Sequence, residues 1–164
     1  MSSAEPRRWV VDASVAFGWF AEVEGSAWSV ALLEATPAAD LIAPDLVLVE
    51  LLNAGWKTQR IGAITEAQFA AIAELAPALF SELVPAAALL SSAQRWCRQL
   101  DHPVYDCLYL ALAEQRSAVL LTQDQRLLRK LESEPEAADL AMPLERWQAR
   151  QGLLARREPG EGCG

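Results

Sequence analysis

The stretch HPVYDCLYLALAE, residues 102–114, predicts a helix that is buried on most of its faces. Pro103 suits the first helical position, because a helix start needs no N–H there. From Val104 to Ala113 the only carboxylic acid is Asp106. Burying an unpaired carboxylate is costly, and no Lys or Arg stands three or four residues away from it on this helix. Asp106 therefore needs another partner, either the N-terminus of its helix or a metal ion.

Short apolar runs and helical patterns alternate on both sides of this stretch. The apolar runs predict strands at residues 9–12, 41–43, 82–85 and 118–122, and an edge strand at 140–144. Apolar residues at helical spacing predict further helices over residues 27–35, 45–57, 65–76, 91–100 and 125–132. This alternation predicts an α/β domain with a central, mostly parallel sheet of four or five strands flanked by helices.

Length and composition indicate one folded domain. The chain has 164 residues, of which 52% are hydrophobic and 22% are charged, as is typical of globular proteins. We expect the domain to span residues 1–155 and a disordered tail to follow over 156–164, where Pro159 and three glycines occur. No apolar run reaches the roughly 18 residues of a membrane span, and the start has no signal-peptide core. These features predict a cytoplasmic protein.

Charge and cysteine usage narrow the function classes. The net charge is −8 with only two lysines, which disfavours a surface that coats duplex nucleic acid nonspecifically. Acidic residues concentrated in a cleft would instead attract divalent cations. The three cysteines, at 97, 107 and 163, form neither a C-x-x-C pair nor a zinc-binding spacing, so we expect reduced thiols.

Four acids stand in apolar surroundings without a basic neighbour on their own element. Asp12 and Asp124 follow predicted strands, at the edge where ligands bind to parallel sheets. Glu50 lies in the middle of an apolar helix, and Asp106 near the start of another. Each has an ordinary alternative: Asp124 or Asp12 as a cap, Asp106 as a helix-dipole acid, Glu50 as an idle surface residue. Four such accidents in one chain are harder to accept than a shared site.

A cluster of four carboxylates favours metal chemistry. Their mutual repulsion raises the pKa values when no cation is bound. A hard cation such as Mg²⁺ or Mn²⁺ relieves that repulsion and prefers oxygen ligands. Because a bound divalent ion activates water and stabilises charge on phosphoryl oxygens, the residues predict metal-assisted hydrolysis of a phosphodiester.

Four motifs in a fixed order carry a resemblance to a known family. They are VVDAS at residues 10–14, APDLVLVELLN at 43–53, YDCLYLALA at 105–113 and LLTQD at 120–124. From about residue 10 to residue 144 the chain resembles the PIN-domain ribonucleases, specifically the VapC-like toxins of type II toxin–antitoxin systems. The resemblance implies a three-layer PIN-like fold and a metal-dependent endoribonuclease that a small antitoxin holds inactive, with RNA as substrate and a homodimer as the assembly.

The resemblance also assigns roles to individual residues. The catalytic and metal-binding residues would be Asp12, Glu50, Asp106 and Asp124, which would hold one or two Mg²⁺ or Mn²⁺ ions. The residues that support the site by hydrogen bonds would be Ser14, Asn53 and Thr122. We expect Asp12 and Asp106 to approach one ion most closely, with Asp124 at the outer side. Residues 125–130 lack the further acid of some family members, which weakens the case for a tightly held second ion.

The residues disfavour two other families and leave two other functions open. A phosphorelay receiver would need an early acidic pair and a late strand-end lysine, and a haloacid-dehalogenase-like phosphatase would need an acid in place of Ser14. A non-catalytic PIN-like binding module and a housekeeping RNA-processing nuclease remain alternatives. The single histidine, His102, is interpreted as a helix-start or supporting group, and Arg126 and Arg129 as either phosphate-binding or solvated residues.

Overall fold

A five-stranded parallel sheet forms the centre of the molecule. The computed structural model describes residues 8–37 and 40–155, so the predicted tail at 156–164 lies outside the described residues. The strands are β1 (Trp9–Val11), β2 (Leu41–Pro44), β3 (Glu82–Val84), β4 (Val119–Thr122) and β5 (Ala141–Pro143). Their order is β3-β2-β1-β4-β5, and every neighbouring pair is parallel. The predicted α/β class and the flanked parallel sheet are confirmed.

Eight α-helices surround this sheet in the described part of the chain. They are α1 (Ala13–Ala16), α2 (Ser26–Ala35), α3 (Leu46–Arg60), α4 (Glu66–Leu75), α5 (Leu90–Leu100), α6 (Val104–Arg116), α7 (Gln125–Glu132) and α8 (Leu144–Ala155). Short 3-10 turns occupy residues 17–19, 76–79 and 86–88. None of the described helices is long and apolar enough to cross a membrane.

The element boundaries differ from the sequence expectation in three places. Pro103 is the N-cap of α6 rather than its first residue. Gly25, at φ 78°, is the N-cap of α2, which begins at Ser26, one residue before the predicted start at residue 27. Helix α8 was not predicted; Pro143 ends β5, and Leu144 and Trp147, three residues apart, are buried on one face of the helix that follows. Helix α4 begins with a capping box between Thr65 and Gln68.

Helix α6 is the buried helix that the sequence predicts. Residues 107–113 are all buried, and α6 packs against α5 and against β1, β2 and β4. Since fully burying a leucine side chain stabilises a fold by about 1.5–3 kcal/mol, the leucines of this helix anchor it firmly to the sheet. The first turn of α6, with Asp106, is thereby held at a fixed height above the sheet.

The strand order places the site. The chain leaves β1 toward β2 on one side, and β4 pairs with β1 on the other, so the order reverses at β1. In open parallel sheets ligands bind outside the carboxyl ends of strands at such a reversal. The register pairs Val11 with Leu121, which brings Asp12 and Thr122, the next residues along, to the same edge.

Candidate active site

Asp12 is held by three hydrogen bonds at the end of β1. It is the N-cap of α1, where its Oδ1 accepts from the backbone N–H of Val15 at 3.1 Å and from the hydroxyl of Ser14 at 2.6 Å. The hydroxyl of Thr122 donates to its Oδ2. Both oxygens are therefore oriented, and the cap interpretation of Asp12 is correct without excluding a second use.

Ser14 and Thr122 join the ends of the two central strands. The Thr122 hydroxyl, which donates to Asp12, accepts from the backbone N–H of Asp124 at 2.9 Å. The Ser14 hydroxyl, which also donates to Asp12, accepts from the backbone N–H of Gln123 at 3.1 Å. Because each hydroxyl both donates and accepts, the positions of Asp12 and Asp124 depend on each other.

Asp124 caps α7 with one oxygen. Its Oδ1 accepts from the backbone N–H groups of Arg126, at 2.8 Å, and Leu127, at 3.1 Å. This is the ordinary capping role. In the described part of the chain no hydrogen bond ends on Oδ2, which leaves that oxygen available to a ligand.

His102, Asp106 and Asp124 form a compact group. Each offers one ligand atom, and these three atoms lie within 4.8 Å of one another. His102 Nε2 lies 2.8 Å from Asp106 Oδ2, and the imidazole side chain is only 2% exposed. Within residues 8–37 and 40–155, these three side chains are close enough to hold one ion together.

Glu50 meets a partner that the sequence reasoning missed. The buried hydroxyl of Tyr109 donates to Glu50 Oε2, although 59 residues separate the two. Tyr109 lies one turn after Asp106 on α6, so the spacing of three residues was the one available signal. The bond orients a carboxylate that its own helix leaves without a partner.

The electrostatics link the four acids into one site. Burial raises the pKa of Asp12 from 3.8 to about 6, and the charge of Glu50 adds to the rise. Burial also raises the pKa of Glu50, with the charge of Asp106 adding to it. Burial and then the charge of Asp124 raise the pKa of Asp106, while the bond from His102 opposes the rise. Each acid thus acts on the next, which requires that they share one region.

The predicted supporting residues differ in their surroundings. Ser14 and Thr122 bond directly to Asp12, as described above. Asn53 is exposed on α3, and its supporting role stays a prediction. The expected approach of Asp12 and Asp106 to one ion also stays a prediction, since the trio of ligand atoms within 4.8 Å joins Asp106 to Asp124 and His102.

Comparison with known families decides the assignment. Residues 9–132 match the PIN domain. The matched range contains strands β1 to β4 and the acids Asp12, Glu50, Asp106 and Asp124, and it ends before β5. The chain belongs to the PIN-domain family. PIN domains are generally metal-dependent nucleases that act on RNA, and the position of the acid cluster at the sheet edge agrees with that chemistry.

A solved structure supports the fold of this PIN domain. The chain is similar to the crystal structure of PAE2754 from Pyrobaculum aerophilum, with a TM-score of 0.66 and 23% sequence identity. The similarity covers 89% of this chain and 90% of the other. No curated protein matches the chain significantly. The resemblance to PAE2754 therefore supports the fold alone, and the roles of individual residues are argued from the geometry of the site.

The donor set of this PIN domain fits a divalent cation. Carboxylate oxygens are the ligands that Mg²⁺ and Mn²⁺ prefer. Three of the four acids have pKa values raised by burial and by each other, the state that a bound cation would relieve. In the part of the chain that the structure describes, no Lys or Arg forms an ion pair with any of the four.

Proposed function

We propose that this PIN domain is a Mg²⁺- or Mn²⁺-dependent endoribonuclease, with Asp12, Glu50, Asp106 and Asp124 as the catalytic and metal-binding residues. The observation that carries the proposal is the geometry of these acids: the Thr122 hydroxyl joins Asp12 to Asp124 at the carboxyl ends of β1 and β4, and Asp106 and Asp124 offer ligand atoms within 4.8 Å of each other. Repelling carboxylates at a sheet edge destabilise a protein unless a ligand uses them.

The residues divide the work by position. Ser14 and Thr122 hold the Asp12 carboxylate in one orientation, and Tyr109 does the same for Glu50. When bound, a divalent cation supplies an activated water and stabilises charge on the phosphoryl oxygens. The hydroxyl donors of Ser14, Thr122 and Tyr109 would favour catalysis because they already hold the carboxylates in place and need no rearrangement when the phosphodiester reacts.

Cleavage of RNA with defined ions tests the proposal. We expect the wild-type protein to cut single-stranded RNA with Mg²⁺ or Mn²⁺, to be inactive in EDTA, and to lose activity by about 10²-fold or more in Asp12→Asn. The matched control is Asp139→Asn, since Asp139 is an exposed acid of α7–β5 connection. If both variants cleave as fast as wild type, or EDTA has no effect, the proposal is wrong.

We further propose that the protein is the toxin of a toxin–antitoxin module and forms a homodimer. An apolar groove of about 550 Å³ lies between the 17–19 turn, α2 and α4, lined in part by Trp19, Phe20 and Val30. Glu22 and Glu34 also line it, which suits a basic, amphipathic segment of a small antitoxin. On the exposed surfaces of α2 and α3, Trp28 is 37% and Trp56 45% exposed.

These exposed apolar residues favour a partner. Val49, at 64% exposure, and Leu52, at 37%, lie on the same helix face as Trp56. Exposed apolar patches of this kind mark interaction sites. We expect a dimer in sedimentation at micromolar concentration that Trp56→Glu weakens; a monomeric wild type contradicts the dimer.

The toxin role has its own test. Expression of the wild-type protein in a bacterial host should arrest growth, whereas Asp12→Asn should not. If the reading frame directly upstream encodes a small protein, coexpression of that protein should restore growth. An active nuclease that does not slow growth would favour the housekeeping alternative, and a folded protein without cleavage activity would favour the binding-module alternative.

A further inference from the structure

His102 is a buried polar residue at the site that the four-acid chemistry leaves without a role. Its side chain is 2% exposed, although it is the only histidine of the chain. Asp101, at φ 47° and ψ 55°, ends α5 in the left-handed region, and Pro103 caps α6. This tight turn, with the His102 N–H bonded to the carbonyl of Cys97 at 3.2 Å, fixes where the imidazole stands.

The distances suit direct coordination. His102 Nε2 lies 2.8 Å from Asp106 Oδ2, and Asp124 completes a trio of ligand atoms within 4.8 Å. In an octahedral site with bonds of about 2.1 Å, adjacent ligand atoms are about 3.0 Å apart and opposite ones about 4.2 Å. The spacing of the three atoms is therefore close to that of ligand atoms around one ion.

We propose that His102 is a direct metal ligand, so that His102, Asp106 and Asp124 form a mixed nitrogen–oxygen site. The inference deepens the proposed function, because it concerns the cation of that same site. Imidazole suits transition-metal cations, whereas Mg²⁺ strongly prefers oxygen ligands and water. The site accordingly favours a cation such as Mn²⁺ or Co²⁺ over Mg²⁺.

Coordination requires the neutral imidazole with its lone pair on Nε2 and its proton on Nδ1. In the metal-free protein Nε2 and Asp106 Oδ2 share a hydrogen bond of 2.8 Å. If a cation were bound, the Nε2 lone pair of His102 and the Oδ2 of Asp106 would both hold it in place of this hydrogen bond. A merely supporting histidine would keep the proton on Nε2 and never touch the ion.

The nitrogen of His102 gives a direct measurement. We would bind Mn²⁺ to the untagged full-length protein and record electron spin-echo envelope modulation. Direct coordination predicts modulation from one directly bound ¹⁴N. Because the chain has a single histidine, ¹⁵N labelling of histidine alone should convert that signal to the ¹⁵N pattern without any mutation. No bound Mn²⁺, or a spectrum without histidine nitrogen coupling, overturns the inference.

Ion affinities of His102→Gln provide a second readout. Gln keeps a side-chain N–H able to bond Asp106 but lacks the imidazole. Loss of a ligand should weaken Mn²⁺ by about 10-fold or more and Mg²⁺ by less than about 3-fold, since Mg²⁺ gains little from nitrogen. Equal weakening of both ions indicates a supporting hydrogen bond and contradicts direct coordination.

The outcome separates this inference from the proposed function. Histidine coupling to Mn²⁺ without cleavage of any RNA supports the mixed site and contradicts the nuclease proposal. Metal-dependent cleavage with no histidine coupling supports the nuclease and contradicts the mixed site.

Discussion

The substitution Asp12→Asn should stabilise the metal-free protein at neutral pH. Burial raises the pKa of this carboxyl from 3.8 to about 6, so the charged form costs free energy that the neutral form does not. The rise corresponds to at most about 3 kcal/mol, at about 1.4 kcal/mol per pKa unit. Asparagine keeps the N-cap role at α1, and its carbonyl oxygen accepts from Val15 and Ser14 as the carboxylate does.

The pH dependence of this effect has a definite sign. A carboxyl whose pKa is raised in the folded state binds its proton more tightly there than in the unfolded chain. The stabilisation of the folded state by this bound proton is therefore fully present below about pH 4 and is lost as the pH rises through about 6. The stability gap between Asp12→Asn and wild type should be near zero at about pH 4 and reach up to about 3 kcal/mol above about pH 7.

Urea and thermal unfolding in EDTA measure the gap. For a chain of this size the upper limit corresponds to a rise in melting temperature of roughly 6–12 °C. Asp139→Asn, an exposed acid, is the control and should show no such trend. If Asp12→Asn is less stable than wild type above about pH 7, or if the gap does not vary with pH, burial of the Asp12 charge is not the dominant effect.

Three further outcomes follow from the site. Mg²⁺ or Mn²⁺ should raise the melting temperature of the wild type, because a ligand that binds only the folded state stabilises it. Asp106→Asn should reduce that rise and leave the metal-free protein as stable as the wild type or more stable. Melting curves that neither ion affects would show that the acids bind no cation. Tyr109→Phe leaves Glu50 without its hydroxyl donor. RNA cleavage should therefore fall by about 10-fold, and the free energy of unfolding by about 1–3 kcal/mol. Unchanged values in both assays would refute the orienting role of Tyr109. Arg126, whose charge lowers the pKa of Asp106, lies at the rim of the acid cluster. Arg126→Gln should therefore raise KM for RNA and reduce the log–log slope of binding against salt concentration by about 0.7. Arg129→Gln, one turn along the same helix, should have much smaller effects, and equal effects of the two variants would mean that only net charge matters.

The secondary structure and the identity of the acids are properties that the sequence carries locally. Apart from Asp106, the run from Val104 to Ala113 is apolar or aromatic on all faces of a helix, which predicts a buried helix, and residues 107–113 are indeed all buried. Asp12 and Asp124 stand out because a charged residue directly follows a continuous apolar strand. The family motifs depend on the same local signals, and residues 9–132 match the PIN domain.

Helix α8 shows the limit of local reasoning. Proline at 143 and the apolar residues before it are typical of an edge strand, and the strand was extended one residue too far. Only the packing of Leu144 and Trp147 into the core, where both are almost fully buried, makes the following segment helical against β5. Short apolar runs leave that choice open, because either periodicity buries them.

The tertiary structure alone decided which side chains meet. Thr122 reaches Asp12 across 110 residues, and Tyr109 reaches Glu50 across 59. Sequence spacing predicts neighbours only within a helix turn or between adjacent strands, whereas these contacts depend on the strand order and on how α6 lies over the sheet. The same is true of the grouping of His102 and Asp106 with Asp124. The first two are four residues apart at the start of α6, whereas Asp124 follows β4, and only the packing of α6 against β4 brings the three together.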